Sequence, residues 1–154
     1  MIVVSDTSAI TALLQIGQAG LLEKLYFQIL IPVAVRDELL KNHQALPVFL
    51  HCQPVVNIAE VKCLLVEIDL GEAEAIVLAK ERHADFLLID ELAGRRVAQR
   101  ECLRFFGLMG VLVQAKQKKF IKSVRELTAE LERVADFHLS EEIKSIAYRK
   151  AGEL

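Results

Sequence analysis

Short apolar runs alternate with helix-forming segments along this chain, and the alternation constrains the fold more than any other feature of the sequence. Strands that alternate with helices form βαβ units, in which the strands are parallel. Four runs are predicted as strands and a fifth as a small edge strand. The four are Ile2–Ser5, Gln28–Ile31, Phe86–Ile89 and Leu103–Phe106, and the fifth is Val55–Ile58. The sequence therefore predicts an α/β protein, a three-layer α/β/α sandwich around a mainly parallel sheet of four to five strands.

Helices are predicted between and after these strands, where capping residues or proline precede an amphipathic segment. The stretch from Asn42 to Pro54 carries two prolines and is predicted as a loop with at most one helical turn. The chain is expected to form a single domain, 1–154, with 120–154 as a C-terminal helical extension. The predicted helices are Ala9–Ile16, Leu21–Leu25, Val33–Lys41, Ala59–Ile68, Gly71–His83, Glu91–Glu101, Val111–Lys119, Val124–Arg133 and Ser140–Ala151.

Composition excludes several classes of protein. Hydrophobic residues make up 53% of the chain and charged residues 26%, which is typical of a well-packed globular protein and not of a disordered one. The apolar runs are far shorter than the roughly 20 residues of a membrane span, and no signal peptide is predicted at the N-terminus. The three cysteines are widely spaced and form no CxxC motif, a pattern that favours reduced thiols. A cytoplasmic protein without a membrane partner is expected.

Four acidic residues lie where a strand would end or within a neighbouring helix. Asp6 follows the first predicted strand and Asp90 follows the apolar run Phe86–Ile89, while Glu38 and Glu72 lie in predicted helices. The carboxyl edge of a parallel sheet is where open α/β folds place their sites. Carboxylates gathered there repel one another unless a cation neutralises them, and Mg²⁺ and Mn²⁺ prefer oxygen ligands. The joint pattern predicts a metal site and favours phosphodiester chemistry.

Each acid also has an ordinary structural interpretation. Asp6 and Asp90 are both placed to cap the helix that follows, and Glu38 is placed at the margin of an apolar helix face, where surface acids are common. Glu72 follows Asp69 by three residues, the spacing of a capping box. Only the convergence of all four at one sheet edge, where Gly71 permits close approach, favours a site.

Four segments carry a resemblance to a known family. They are Val3–Ser8, Pro32–Leu39, Gly71–Ala79 and Leu87–Ala98. In their order and spacing they resemble the PIN-domain ribonucleases, which include the toxins of bacterial and archaeal toxin–antitoxin pairs. The Gly-Glu-Ala-Glu-Ala helix start and the Asp-x-x-x-Gly-Arg segment are similar to one PIN-related subgroup. Gly107–Lys116 and the last helices also look like that subgroup, so the resemblance covers nearly the whole chain.

The resemblance implies a role for each acid. It makes Asp6, Glu38, Glu72 and Asp90 the catalytic acids, with Asp6 and Asp90 as direct ligands of Mg²⁺ or Mn²⁺ and Glu72 as a direct or water-mediated ligand. Glu38 orders water at the ion or helps to deprotonate the attacking water. Ser8 matches the small hydroxyl residue that the family keeps beside its first acid.

Two positions depart from the family pattern. The third acid is commonly aspartate in the wider family and is glutamate here, and Glu74 competes with Glu72 for that role. Glu72 is preferred because eighteen residues separate it from Asp90, which is the interval that the family pattern implies. Leu108 stands where the subgroup often has threonine, which leaves open any hydroxyl contribution from that position.

The function implied is a metal-dependent endoribonuclease that hydrolyses single-stranded RNA, as the toxin of a toxin–antitoxin pair. Arg95, Arg96 and Lys41 are the candidate phosphate-binding residues, although the two arginines are also compatible with a solvated helix face. Two other functions are compatible with the fold that the resemblance implies: a catalytically weak PIN-fold nucleic-acid-binding or regulatory protein, and a metal-dependent phosphatase acting on a small phosphate ester. The absence of a glycine-rich phosphate cradle argues against the phosphatase.

An antitoxin protein and a second copy of the chain are the expected protein partners. The homodimer is expected because several segments carry more apolar residues than one buried face requires. These segments are Thr11–Ile16 and Leu21–Leu25, with Phe27, Phe49 and the C-terminal helices.

Overall fold

The computed structural model describes residues 1–153, and within them five strands and nine helices alternate as the sequence predicts. In chain order the elements are β1 (Val3–Ser5), α1 (Thr7–Gln15), α2 (Gly20–Tyr26), β2 (Ile29–Ile31), α3 (Val33–Asn42), β3 (Leu50–Cys52), α4 (Ile58–Leu64), α5 (Leu70–Glu81), β4 (Phe86–Leu88), α6 (Leu92–Arg100), β5 (Phe105–Phe106), α7 (Leu108–Gln117), α8 (Val124–Val134) and α9 (Glu141–Lys150).

The strands form one parallel sheet in the order β3-β2-β1-β4-β5. The central strand β1 pairs with β2 on one side and with β4 on the other. The chain therefore winds outward from β1 in one direction through β2 and β3, and in the other direction through β4 and β5. In such sheets the reversal opens a crevice at the carboxyl ends of the two central strands, where open α/β proteins bind their ligands.

Side chains of the sheet alternate between two cores. Val3 and Leu88 contribute to the core that includes α1, α2 and α7, whereas Val4, Leu87 and Ile89 contribute to the core formed with α4, α5 and α6. A strand directs successive side chains to opposite faces, so two helical layers enclose one sheet. This arrangement confirms the predicted three-layer α/β/α sandwich.

The predicted edge strand Val55–Ile58 is wrong, and so is the assignment of all of residues 42–54 to a loop. The edge strand is β3, whose Leu50 lies opposite Ile29 of β2. Leu50 and Cys52 are only partly buried and His51 is exposed, so the strand lacks the continuous apolar run that marks a central strand. Residues 55–57 instead lead into α4, whose first turn is capped when Asn57 accepts a hydrogen bond from the Glu60 N–H.

The last two helices pack with α7 and share the first core. Val124 and Leu131 of α8 and Ala147 of α9 are buried with residues of α1 and α7. Residues 120–153 therefore bury apolar side chains in the same core as the sheet. Among residues 1–153, no helix combines the length and the apolar character needed to cross a membrane.

Several residues on which the dimer expectation rests are buried within the single chain. Leu13, Leu21, Leu22 and Phe49 belong to the core, whereas the Phe27 side chain is 83% exposed. The apolar surplus of α1 and α2 is thus largely used in packing these helices onto the sheet, and it does not by itself indicate a second copy.

Candidate active site

Asp6 lies directly after β1 at the carboxyl edge of the sheet. Asp6 is only 2% exposed. Its backbone N–H donates to the Leu88 carbonyl at 3.2 Å, and this bond fixes Asp6 beside the end of β4. Asp6 occupies the N-cap position of α1, yet its side chain makes no capping hydrogen bond, and its Oδ1 is buried without a partner. Burial, followed by the charges of Asp90 and Glu72, raises the pKa of Asp6 well above its ordinary value. The capping interpretation of Asp6 therefore fails.

Glu72 presents a second buried carboxylate in the first turn of α5. Its backbone N–H donates to Asp69 Oδ1 at 2.8 Å, so the capping interaction predicted from the spacing does form. The Glu72 side chain takes no part in this capping bond, and its Oε2 is buried without a hydrogen-bond partner. Burial and the neighbouring Asp69 raise the pKa of Glu72 to about 7.

Gly94 of α6 makes room for the Glu72 carboxylate. A Cβ atom at this position would overlap Glu72 Oε2 and would lie 2.5 Å from Ile89 Cδ1. Real Cβ contacts are not this close, so any larger residue requires the carboxylate or the strand end to move. The glycine of the Asp-x-x-x-Gly-Arg segment thus serves as a cradle for an acid that lies 22 residues earlier in the sequence.

Glu38 reaches the same region from α3. Thr7 Oγ1 donates a hydrogen bond to Glu38 Oε2, which connects α3 to the start of α1. On the other side, a Cβ atom at Gly71 would lie 2.8 Å from Glu38 Oε1, so this glycine lets Glu38 approach the N-terminus of α5. Glu38 is therefore not a solvated surface acid, because the Thr7 hydroxyl holds its side chain close to the start of α5.

Asp6, Glu38 and Glu72 line one cleft of about 420 Å³. Ser8 lies on the same cleft wall, and Asp69 and Glu91 add further carboxylates. Thr7 and Gly94 were not recognised from the sequence as parts of this region. Their positions within the quoted Val3–Ser8 and Leu87–Ala98 segments are the only signal that could have indicated them.

Asp90 follows β4 but has partners that Asp6 lacks. Both of its oxygens accept from the Leu108 N–H, at 3.1 and 3.2 Å, and Arg95 Nη2 lies 3.6 Å from Oδ1. The N-cap of α6 is Glu91, so Asp90 caps α7 instead of the helix that follows it. Burial raises the pKa of Asp90, although the Leu108 N–H and Arg95 oppose the rise.

The contact between Asp90 and Leu108 explains why α7 begins three residues before its predicted start. It also shows what the position of Leu108 contributes, which is a backbone N–H and not a side-chain hydroxyl. Asp90 lines a groove beside the acidic cleft, yet its charge is the second largest cause of the raised pKa of Asp6. The carboxylates at the ends of β1 and β4 therefore interact electrostatically.

Glu74 does not line this cleft. Its Oε1 accepts a hydrogen bond from the Ala34 N–H at 3.0 Å, in the first turn of α3. Pro32, the N-cap of α3, makes no side-chain capping bond, so Glu74 supplies an acceptor that this helix start needs. Of the two neighbouring glutamates, Glu72 lines the cleft with Asp6 and Glu74 has a structural partner.

The three predicted phosphate-binding residues lie in different environments. Arg95 donates from Nε to the Ile89 carbonyl at 3.0 Å and its guanidinium lies 5.6 Å from the centre of the Phe105 ring, so it is anchored and not part of a solvated face. Arg96 and Lys41 are exposed, and neither forms an ion pair within the described part of the chain.

The acidic residues supply the oxygen ligands that a hard divalent cation prefers, although they are not assembled as a complete metal site. Within residues 1–153, no three His, Cys, Asp or Glu side chains form a group ready to hold a metal ion. Asp6 Oδ1 and Glu72 Oε2 are nevertheless buried without partners, and both carboxyl groups have raised pKa values. A hard divalent cation would satisfy these oxygens and offset their repulsion.

A doubly wound parallel sheet with acids at its central crevice defines an open α/β protein that binds its ligand at this edge of the sheet. The family comparison is more specific: residues 2–153 match the family described as a PIN domain. The chain therefore belongs to the PIN-domain family, whose members are typically nucleases, generally use divalent metal ions and bind nucleic acid. No curated protein and no solved structure matches the chain significantly.

Proposed function

We propose that the protein is a Mg²⁺- or Mn²⁺-dependent endoribonuclease that hydrolyses phosphodiester bonds in single-stranded RNA. The observation that carries this proposal is the pair of buried oxygens without partners, Asp6 Oδ1 and Glu72 Oε2, in one cleft. Leaving a buried polar atom unpaired costs about 1–3 kcal/mol, and more when the group is charged. A fold that maintains two such atoms in one cleft is more easily explained by a ligand than by stability.

The proposed ligands of the ion are Asp6, Glu72 and Asp90. When bound, the ion lowers the pKa of a water molecule and stabilises negative charge on the phosphate. Asp6 and Glu72 supply carboxylates whose own proton affinity is raised, so that cation binding and proton loss are linked. Asp90 is oriented by the Leu108 N–H and by Arg95.

Glu38 and Ser8 complete the proposed reaction centre. Thr7 holds one Glu38 oxygen, which leaves the other to orient the attacking water or to accept its proton. Ser8 is placed on the cleft wall as a hydroxyl that can hydrogen-bond a phosphate oxygen.

Single-stranded RNA is the proposed substrate because an open cleft admits a flexible strand. Basic side chains close in sequence to the cleft acids can bind the phosphates of that strand. Arg95, Arg96 and Lys41 are the proposed phosphate-binding residues, with Arg95 the best supported since it contacts Asp90. Phosphate contacts from such residues position the strand without reading its sequence.

The test is cleavage of a mixed RNA pool by the wild type and by Asp6→Asn, with Mg²⁺, with Mn²⁺ and with a chelator. We expect cleavage only by the wild type with metal, while Asp6→Asn keeps the fold and is at least as stable, because one charge is removed from a repelling group. Equal turnover by the two proteins would show that the assigned site is wrong.

One observation favours the catalytically weak nucleic-acid-binding or regulatory protein as the second candidate. The described residues hold no preassembled group of three metal-ligating side chains. If the protein only binds nucleic acid, RNA binds without being cut and millimolar Mg²⁺ or Mn²⁺ leaves the melting temperature unchanged. A metal ion that binds the native state would instead raise the melting temperature by mass action.

We further propose a toxin role with an antitoxin partner, and a homodimer, both on the basis of the family. PIN domains are often toxins of toxin–antitoxin pairs. The exposed Phe27 ring supports a protein contact on this surface. Growth arrest on expression of the wild type but not of Asp6→Asn tests the toxin role. Light scattering at micromolar concentration tests the dimer, and a particle of 17.3 kDa would exclude it.

A further inference from the structure

A second concave surface, the α7–α9 groove, lies beside the acidic cleft. It has a volume of about 530 Å³ and is lined mainly by residues of α7 and α9. Asp90 and Arg95 also line it, so the groove contains one proposed ion ligand and one proposed phosphate-binding residue. This continuity makes it the surface that a strand held at Asp90 would reach next.

The groove has a buried apolar wall on α7 and an exposed apolar wall on α9. Met109 and Val113 of α7 are 7% exposed, whereas Ile143 and Ile146 of α9 are 45% and 46% exposed. Exposed isoleucines one turn apart beside buried apolar side chains suit a flat, partly apolar ligand. A nucleobase has such a surface, and in a single strand it is free to leave the stack.

Gln114 is held with one end of its amide occupied. The Tyr26 hydroxyl donates to Gln114 Oε1 at 2.9 Å, and the Tyr26 ring packs against Phe106 with centroids 5.6 Å apart. Because Oε1 accepts this bond from a buried residue, the two N–H donors of the Gln114 amide remain for the groove that it lines. Bases carry carbonyl and ring-nitrogen acceptors that match such donors.

The charges at the groove also suit a nucleotide. Arg95 and Lys150 supply two cations against the single carboxylate of Asp90, which lies beside Arg95, and Lys150 is exposed at the end of α9. Arg95 is anchored by its bond to the Ile89 carbonyl, so its remaining guanidinium donors have a fixed position. Apolar walls, an oriented amide and two cations together match the base and the phosphate of one nucleotide.

We propose that the α7–α9 groove is a nucleotide subsite for single-stranded nucleic acid. It holds the base next to the scissile phosphate, with that base between the α7 and α9 side chains and on the Gln114 amide. Arg95 and Lys150 contact the adjoining phosphates. The proposal rests on the nuclease function for the identity of the strand, but binding in the groove requires neither metal nor cleavage.

The test uses the full chain and fluorescently labelled octamers of uridylate, measured by anisotropy in the presence of a chelator. Gln114→Glu is the informative variant, because a carboxylate still accepts from Tyr26 but offers no N–H donors. Gln99→Glu is the matched control, since Gln99 is exposed on α6 and does not line the groove. We expect Gln114→Glu to weaken binding about tenfold or more, as loss of a hydrogen bond with added repulsion does, and Gln99→Glu to change it less than about twofold.

Cross-linking keeps the test independent of any effect of the variant on folding. An octamer that contains 4-thiouridine is expected to cross-link the wild type within residues 109–117 or 139–150. Cross-links confined to other segments, or equal binding by Gln114→Glu and wild type, would overturn the proposal. A peptide segment of a partner protein would then be the alternative occupant of the groove.

The nuclease function and the subsite fail in different ways. RNA cleavage with binding unaffected by Gln114→Glu removes the subsite and leaves the nuclease. Cross-linking in the groove with no cleavage under any metal condition supports the subsite and removes the nuclease.

Discussion

Two glutamates, Glu72 and Glu153, show opposite ways in which this protein treats a carboxylate. Glu153 accepts from the Val124 N–H at 2.7 Å, from Lys116 Nζ at 2.9 Å and from Ser123 Oγ at 3.0 Å. Burial would raise its pKa, but these donors lower the pKa of Glu153 to about 2. Glu72 has a buried oxygen without a donor, and its pKa is raised to about 7.

The difference separates a structural acid from an acid held for a ligand. Glu153 stabilises the start of α8, where the first N–H groups of a helix need acceptors and favour negative charge. Glu72 and Asp6 are buried without such compensation, so their ionised forms cost stability unless a cation is present. Perturbation of this kind in a cleft is typical of functional sites.

The largest effect is expected for Glu72→Gln, measured as RNA cleavage with Mg²⁺ or Mn²⁺. The amide removes a charged oxygen from the proposed ion site, so activity should fall about 100-fold or more, roughly 2.7 kcal/mol of transition-state stabilisation. Glu153→Gln serves as the control and should leave the activity of the folded protein unchanged. Wild-type turnover in Glu72→Gln would show that Glu72 has only a capping role at the start of α5.

Gly94→Ala should also act on the acidic cleft. The added methyl group overlaps Glu72 Oε2 and the Ile89 side chain, so it displaces the carboxylate and weakens ion affinity by about tenfold, in the range found for altered ligand support. The shift of the thermal melt by Mg²⁺ or Mn²⁺ measures this. Gly20→Ala is the control, because a Cβ atom there meets nothing within 4 Å, and it should keep the full metal-induced shift.

The pH dependence of stability should distinguish Glu72 from Glu153 by its sign. In the presence of a chelator, Glu72 binds a proton more tightly in the folded protein than in the unfolded chain. Its contribution to the free energy of unfolding is therefore fully present below its ordinary pKa of 4.5 and is lost as the pH rises towards the folded pKa of about 7. The loss is on the order of 1–3 kcal/mol, since solvent in the cleft screens part of the shift. Denaturant unfolding between pH 5 and pH 8 measures it, and Glu72→Gln should flatten the dependence.

Glu153 should act in the opposite direction and in a more acidic window. Its folded pKa of about 2 lies below the ordinary 4.5, so its contribution is present above pH 4.5 and is lost as pH falls towards 2. Glu153→Gln should therefore reduce stability at neutral pH, by about 1–3 kcal/mol for a charged hydrogen-bond acceptor. Equal pH profiles for Glu72→Gln and Glu153→Gln would contradict the distinction between the two acids.

The sequence predicted the central part of the fold because buried parallel strands carry continuous apolar runs, as β1 and β4 do. It failed at β3, which has an exposed His51 between the half-buried Leu50 and Cys52, carries no such run and depends on pairing with β2. Edge pairing of this kind is decided by tertiary contacts that no local pattern records.

The acids of the cleft were predictable from their positions after a strand or within a neighbouring helix, but their surroundings were not. The contact of Gly94 with Glu72 joins α6 to α5, and the bond from Thr7 to Glu38 joins α1 to α3. Such contacts depend on how helices on two faces of the sheet are positioned. The groove between α7 and α9 likewise depends on packing of the C-terminal helices, which their amphipathic pattern alone does not specify.

The smallest effect is expected for Glu74→Gln. Residues two apart on a helix point roughly 200° from each other, so Glu72 and Glu74 face different partners. Glutamine at position 74 keeps an oxygen that can accept from the Ala34 N–H, so we expect less than about 0.5 kcal/mol of lost stability and unchanged cleavage. Glu74→Leu removes that acceptor and should cost about 1–3 kcal/mol, again without loss of cleavage by the folded protein. Loss of cleavage in Glu74→Gln, with full activity in Glu72→Gln, would instead make Glu74 the third acid.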